Sequence, residues 1–106
     1  MQKVAAFRDE RNWAQYHNPK DLAISLSLEA AELLECFQWK SSEDAVREKR
    51  AEVVDELADV LIYALSMADA LGVDPERAVF DKLAKNAAKY PVAKAYGSAR
   101  KYTEYK

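Results

Sequence analysis

The chain has 106 residues, 50% of them apolar and 32% charged, with two glycines, three prolines and a formal charge of −2. A chain of that length is one domain that buries roughly two-thirds of its unfolded surface, and so few glycines and prolines exclude a β-sandwich and leave an all-α fold. The small charge, with no long basic face before the C-terminal third, argues against a nucleic-acid polymer as partner, and the single cysteine, Cys36, excludes an internal disulfide or a cysteine-based zinc site and suits a reducing compartment.

Residues 2–16 are predicted as a first helix, with Val4, Phe7 and the Arg11–Trp13 region supplying its apolar contacts. Arg8 and Asp9 interrupt any export signal there, and no run of eighteen apolar residues follows, so a cytoplasmic protein without membrane contact is expected. His17-Asn18-Pro19-Lys20-Asp21 reads as a helix start: Asn18 caps, Pro19 takes the first helical position and Asp21 complements the dipole. The second helix is predicted to run to about Trp39. Ser41-Ser42-Glu43-Asp44 is the next start signal, and from Glu43 to Leu71 nothing in the sequence breaks the third helix, although it is mostly polar up to Arg50. Gly72 closes it, and Asp74-Pro75-Glu76 opens a fourth helix that Tyr90-Pro91 ends. Val92 to Lys106 is a basic, tyrosine-rich tail. After Ala51 the third helix is apolar nearly all round, so it must be enclosed. Four helices of one small chain hardly suffice, and a homo-oligomer with this helix between protomers is expected.

Carboxylates interrupt the apolar stripes of the two central helices. Glu29 falls among Leu22, Leu26, Leu33 and Phe37, with Glu32 one turn on, and Glu56 lies among Val60, Tyr63 and Met67 with Asp59 beside it. Residues three apart point the same way, so each pair forms a claw. An ionised carboxylate in an apolar seam is costly without a partner. With no cysteine or histidine in either claw, the implied partner is a hard cation, Mg²⁺, Mn²⁺ or Ca²⁺, of which Mg²⁺ prefers a few carboxylates together with substrate phosphates and water. A di-iron site would require Glu-x-x-His, which is absent. Glu35, Glu52 and Asp55 extend the acidic face.

Trp13, Trp39 and Tyr63 offer π-faces to a base, although tryptophans more often serve a core or an interface. Lys82, Lys85, Asn86 and Lys89, followed by Arg100 and Lys101, suit phosphates, or equally form an ordinary solvated face. His17 is read as a capping or hydrogen-bonding group rather than a catalyst, and is placed with the binding residues.

The strings Glu29-Ala30-Ala31-Glu32-Leu33-Leu34-Glu35-Cys36-Phe37-Gln38-Trp39 and Glu56-Leu57-Ala58-Asp59-Val60-Leu61-Ile62-Tyr63 resemble the MazG-like nucleoside triphosphate pyrophosphohydrolases, most closely the dCTP pyrophosphatase branch. Asn86-Ala87-Ala88-Lys89-Tyr90-Pro91 and Ser98-Ala99-Arg100-Lys101-Tyr102-Thr103 are similar to that family's C-terminal signatures, and the likeness covers nearly the whole chain. The resemblance implies a four-helix bundle assembled as a dimer or a dimer of dimers, with each site built from two protomers. It implies hydrolysis of a dNTP to a monophosphate and pyrophosphate. Glu29, Glu32, Glu56 and Asp59 would hold Mg²⁺, and Glu32 or Glu35 would take the proton of water. Trp13 and Trp39 would enclose the base, Tyr63 would meet the sugar or base and Asn86 the nucleotide, while Lys89, Arg100, Lys101 and Tyr102 would contact the triphosphate. The chain departs from the cytosine-preferring animal enzymes at Val4, where they carry histidine, and in a shorter loop before the third helix. Without the resemblance, the same claws also suit a nucleotide sensor or a helical interaction module.

Overall fold

The computed structural model describes residues 1–99 and Thr103. Among them are five helices: α1 (Gln2–Glu10), α2 (Pro19–Glu35), α3 (Ser42–Ala70), α4 (Pro75–Lys89) and α5 (Val92–Ala95), with a 3₁₀ turn at Trp13–Tyr16. They fall into two compact units, Met1–Val73 and Asp74–Lys106. The expected all-α class is observed.

In the first unit, the predicted helix 2–16 stops at Glu10. Asn12 adopts the left-handed conformation with φ 55°, a region its short polar side chain tolerates. The reversal brings Trp13 edge-on to Phe7, ring centroids 5.7 Å apart, with the Arg11 guanidinium 3.7 Å above the Phe7 ring. α1 has no fully buried residue. An ion pair from Arg8 to Asp69 ties it to α3.

The helix starts obey local capping chemistry. Asn18 Oδ1 accepts from Asp21 N at 2.9 Å with Pro19 at the first position of α2, and Ser41 Oγ accepts from Asp44 N at 3.1 Å at the start of α3. α2 ends at Glu35, four residues before the predicted Trp39. The chain tightens there into i→i−3 bonds, Cys36 N to Leu33 O, Phe37 N to Leu34 O and Gln38 N to Glu35 O, and Trp39 takes φ 63°. α3 has the predicted extent, but its backbone leaves helical geometry at Lys49 (φ −126°, ψ 29°), next to Arg50, where the sequence turns from polar to apolar. Gly72, at φ 66°, closes it: Val73 N donates to Ala68 O and Gly72 N to Asp69 O, the paired bonds of a Schellman motif.

α2 and α3 make the main packing of this unit. Leu22, Cys36, Ala45, Ser66 and Ala68 are buried, while Ile24, Leu28 and Leu34 on α2 and Val54, Leu57 and Leu61 on α3 remain exposed. Leu61 keeps 53% of its surface open to solvent and Leu28 60%, so these faces are apolar and uncovered in a single chain.

In the second unit, Asp74 Oδ1 accepts from Glu76 N and Arg77 N, and Pro75 opens α4 as predicted. The helix ends at Lys89, with Tyr90 N donating to Asn86 O, and Pro91 leads into the one-turn α5. Val79, Phe80 and Leu83 are exposed on α4. No helix among the described residues is long and apolar enough to cross a membrane.

Candidate functional site

The two claws meet. Glu29, Glu32 and Glu56 each present a carboxylate oxygen within 4.8 Å of the others. Glu29 and Asp59 share one cavity wall, while Glu32, Glu35, Glu52 and Glu56 share another. Descending α2 therefore matches ascending α3, an antiparallel pairing in which 29 faces 59, 32 faces 56 and 35 faces 52. Asp59 stands beside the converging trio rather than within it, and its charge bears on both Glu29 and Glu56.

Glu29 Oε2 and Glu56 Oε2 are buried with no hydrogen-bond partner among the described residues. Burial pushes the Glu29 carboxyl up to about 7, reinforced by the neighbouring carboxylate of Glu32 and then by Asp59 and Glu56. Burial and the same neighbour raise Glu56. A carboxyl raised in this way binds its proton more tightly folded than unfolded. Its stabilising contribution is complete below about 4.5, the unfolded value, and is lost as pH rises through about 7. The metal-free chain is thus expected to melt at a lower temperature near pH 8 than near pH 5.5, as thermal melts in chelator would show.

On one side of the trio is a cavity of about 390 Å³ lined by apolar and aromatic groups (Val4, Phe7, Trp13, Ile62 and Tyr63) together with Lys3, Arg8, His17, Glu29, Asp59 and Ser66. Trp13, His17 and Tyr63 also form part of a smaller cavity of about 260 Å³ with Tyr16, Asp21, Leu22 and Ser25. On the other side is an acidic cavity of about 440 Å³, lined by Glu32, Glu35, Cys36, Gln38, Lys49, Glu52 and Glu56. An aromatic, half-open compartment thus adjoins a cluster of oxygen ligands, an arrangement that suits a flat, polyanionic ligand with a metal counter-ion.

Comparison with known proteins decides the family. The model of the MazG-like family matches residues 24–105. The chain belongs to the MazG-like family. Over 105 residues it is 43% identical to dCTP pyrophosphatase 1 of Rattus norvegicus and 41% identical to that of Homo sapiens, alignments that cover 94% of this chain and 62% of each relative. The chain thus spans a little over three-fifths of the length of these curated relatives. A crystal structure of a pyrophosphatase from Archaeoglobus fulgidus superimposes with a TM-score of 0.79 at 47% identity, over 85% of this chain and 87% of that one.

Within the MazG-like chain, the structure gathers most of the residues singled out in the sequence. Trp13, His17 and Tyr63 line the aromatic cavity beside Glu29 and Asp59. Trp39 does not line it and is 94% exposed. Asn86, half-buried, and Lys89 belong to the second unit. Arg100, Lys101 and Tyr102 lie outside the described residues. Sequence reasoning missed Arg8, Ser66 and Lys49 as cavity-lining groups. Ser66 carried a faint signal, a hydroxyl in the apolar stretch after Ala51; Arg8 and Lys49 looked like ordinary surface charges.

Proposed function

We propose that this chain is a Mg²⁺-dependent nucleotide pyrophosphohydrolase that cleaves a dNTP, dCTP or a modified dCTP foremost, to the monophosphate and pyrophosphate. The observation that carries this reading is the convergence of three carboxylates from two helices at the wall of an aromatic cavity. The cytosine nucleotide named for its relatives supports the choice of base.

The donor set fits a hard divalent cation: oxygens alone, two of them buried and without partners. Glu29, Glu32, Glu56 and Asp59 would hold Mg²⁺, with Mn²⁺ as substitute. When bound, the ion supplies charge neutralisation for the triphosphate and Lewis acidity toward the attacking water. Trp13 and Tyr63 stack against the base, and His17 bonds to its edge. Glu32, the exposed member of the trio, or Glu35 next to it takes the proton as the water oxygen attacks the α-phosphorus and the bond to the β-phosphate breaks. Asn86 and Lys89, with Arg100, Lys101 and Tyr102, are the proposed contacts to the nucleotide and its phosphates.

The uncovered leucines of α2 and α3 support assembly as a homodimer or a dimer of dimers through α3. That assembly gives the exposed Trp39 a role at the partner's base cavity. Because the family match runs through residues 24–105, across both units, the chain is read as one MazG-like domain. Cys36, buried and unpaired, suits a reducing cytoplasm.

The test is a product assay over the four dNTPs and 5-methyl-dCTP, with and without Mg²⁺. Pyrophosphate and monophosphate should form only with the metal, and fastest from a cytosine nucleotide. Binding without any product would make the chain a sensor and refute hydrolysis.

A further inference from the structure

We infer that Ser66 reads the base, selecting a nucleobase that carries an exocyclic amine over one that carries a carbonyl in its place. The inference rests on the proposed function, since it takes the aromatic cavity to be the base compartment.

Ser66 lies in α3 one turn beyond Ile62; it is only 4% exposed and lines the same cavity as Trp13 and Tyr63. Its Oγ is 2.8 Å from the carbonyl oxygen of Ile62. A carbonyl cannot donate, so the hydroxyl proton is committed to that bond. What Ser66 has left for a ligand is a pair of acceptor lone pairs. An acceptor fixed on a buried side chain attracts the N–H of an amine and repels the lone pairs of a carbonyl.

The charged groups and the imidazole of the cavity do not make this choice. Arg8 is engaged by Asp9 and Asp69, and Lys3 is exposed. Glu29 and Asp59 belong to the carboxylate cluster. His17 Nδ1 is buried without a partner among the described residues, but imidazole accepts or donates according to its tautomer and so accommodates either base. Trp13 and Tyr63 are engaged through their rings in the stacking proposed above, and the Ser66 hydroxyl is a neutral group of this cavity whose proton its own helix commits.

A serine that only satisfies its own helix would look the same at the hydrogen bond, and would have no effect on which base is preferred. The experiment therefore measures kcat/KM for dCTP, dUTP and the triphosphate of 2-pyrimidinone deoxyriboside, which lacks the amine without adding bulk, in the wild type and in Ser66→Ala. The variant should lose about tenfold on dCTP, the worth of one neutral hydrogen bond. It should hold or gain on dUTP and stay level on the pyrimidinone. Ser66→Thr keeps both the hydroxyl and its route to the Ile62 carbonyl, and should keep the wild-type ratio. An active Ser66→Ala enzyme with an unchanged dCTP-to-dUTP ratio, or an equal loss on all three nucleotides, overturns the assignment and leaves the hydrolytic reading standing. A wild type that cleaves none of the three overturns both.

Discussion

Glu56→Gln should lower pyrophosphate release about a thousandfold, the scale on which one preorganised electrostatic group acts, and should raise the melting temperature of the metal-free chain. Both effects follow from the same geometry. Glu56 shares the point of convergence with Glu29 and Glu32, and its buried Oε2 has no partner among the described residues. Burial, Glu32, Asp59 and Asp55 all oppose its ionisation. The amide keeps the shape and removes the charge, so the folded chain is relieved while the ion loses a ligand. Steady-state pyrophosphate assays and melts in chelator, then in Mg²⁺, check the two signs, and the Mg²⁺-dependent rise in melting temperature should shrink with the activity. Wild-type turnover would move the site elsewhere. A lower melting temperature without metal would make Glu56 a structural residue.

Leu61→Glu should turn the assembled protein into a monomer and reduce activity at least tenfold, although the substitution lies outside both the carboxylate trio and the aromatic cavity. Leu61 continues the stripe of Val54 and Leu57 on α3, and about half of its surface is open in the single chain. On a true surface, a charge here would change stability by no more than about 0.5 kcal/mol. In an interface it forfeits roughly 1.5–3 kcal/mol of leucine burial per copy and adds the desolvation of a carboxylate. Sedimentation across a concentration series measures the first effect, and the product assay the second. If Trp39 completes the partner's base cavity, Trp39→Ala should weaken turnover while leaving the assembly whole. A Leu61→Glu protein that sedimented like the wild type would remove α3 from the interface.

Much of the fold is legible in the sequence because its signals act over a single helical turn. Asn18 with Pro19, Ser41, Asp74 with Pro75 and Gly72 each close a hydrogen bond or allow a φ within a few residues, and each marks a helix end where expected. The two helix ends that fall short of the sequence expectation, Glu10 and Glu35, are followed by Asn12 and Trp39 in left-handed conformations. No glycine announces those turns; at the first, the rings of Phe7 and Trp13 close over the reversal. The kink at Lys49 was visible only as a change of composition.

The sequence by itself determined the all-α class, the pairing of Glu29 with Glu32 and of Glu56 with Asp59 on shared helix faces and the oxygen-only chemistry they offer, because a 3.6-residue period fixes which side chains share a face. Tertiary structure decided the rest: which claw meets which, why Asp59 stands outside the tightest trio, and how Ser66 and Arg8 come to share a cavity with Trp13. Those outcomes depend on the axial register of α2 against α3. Packing across the seam sets that register among residues many helical turns apart in the chain, beyond the reach of any local pattern.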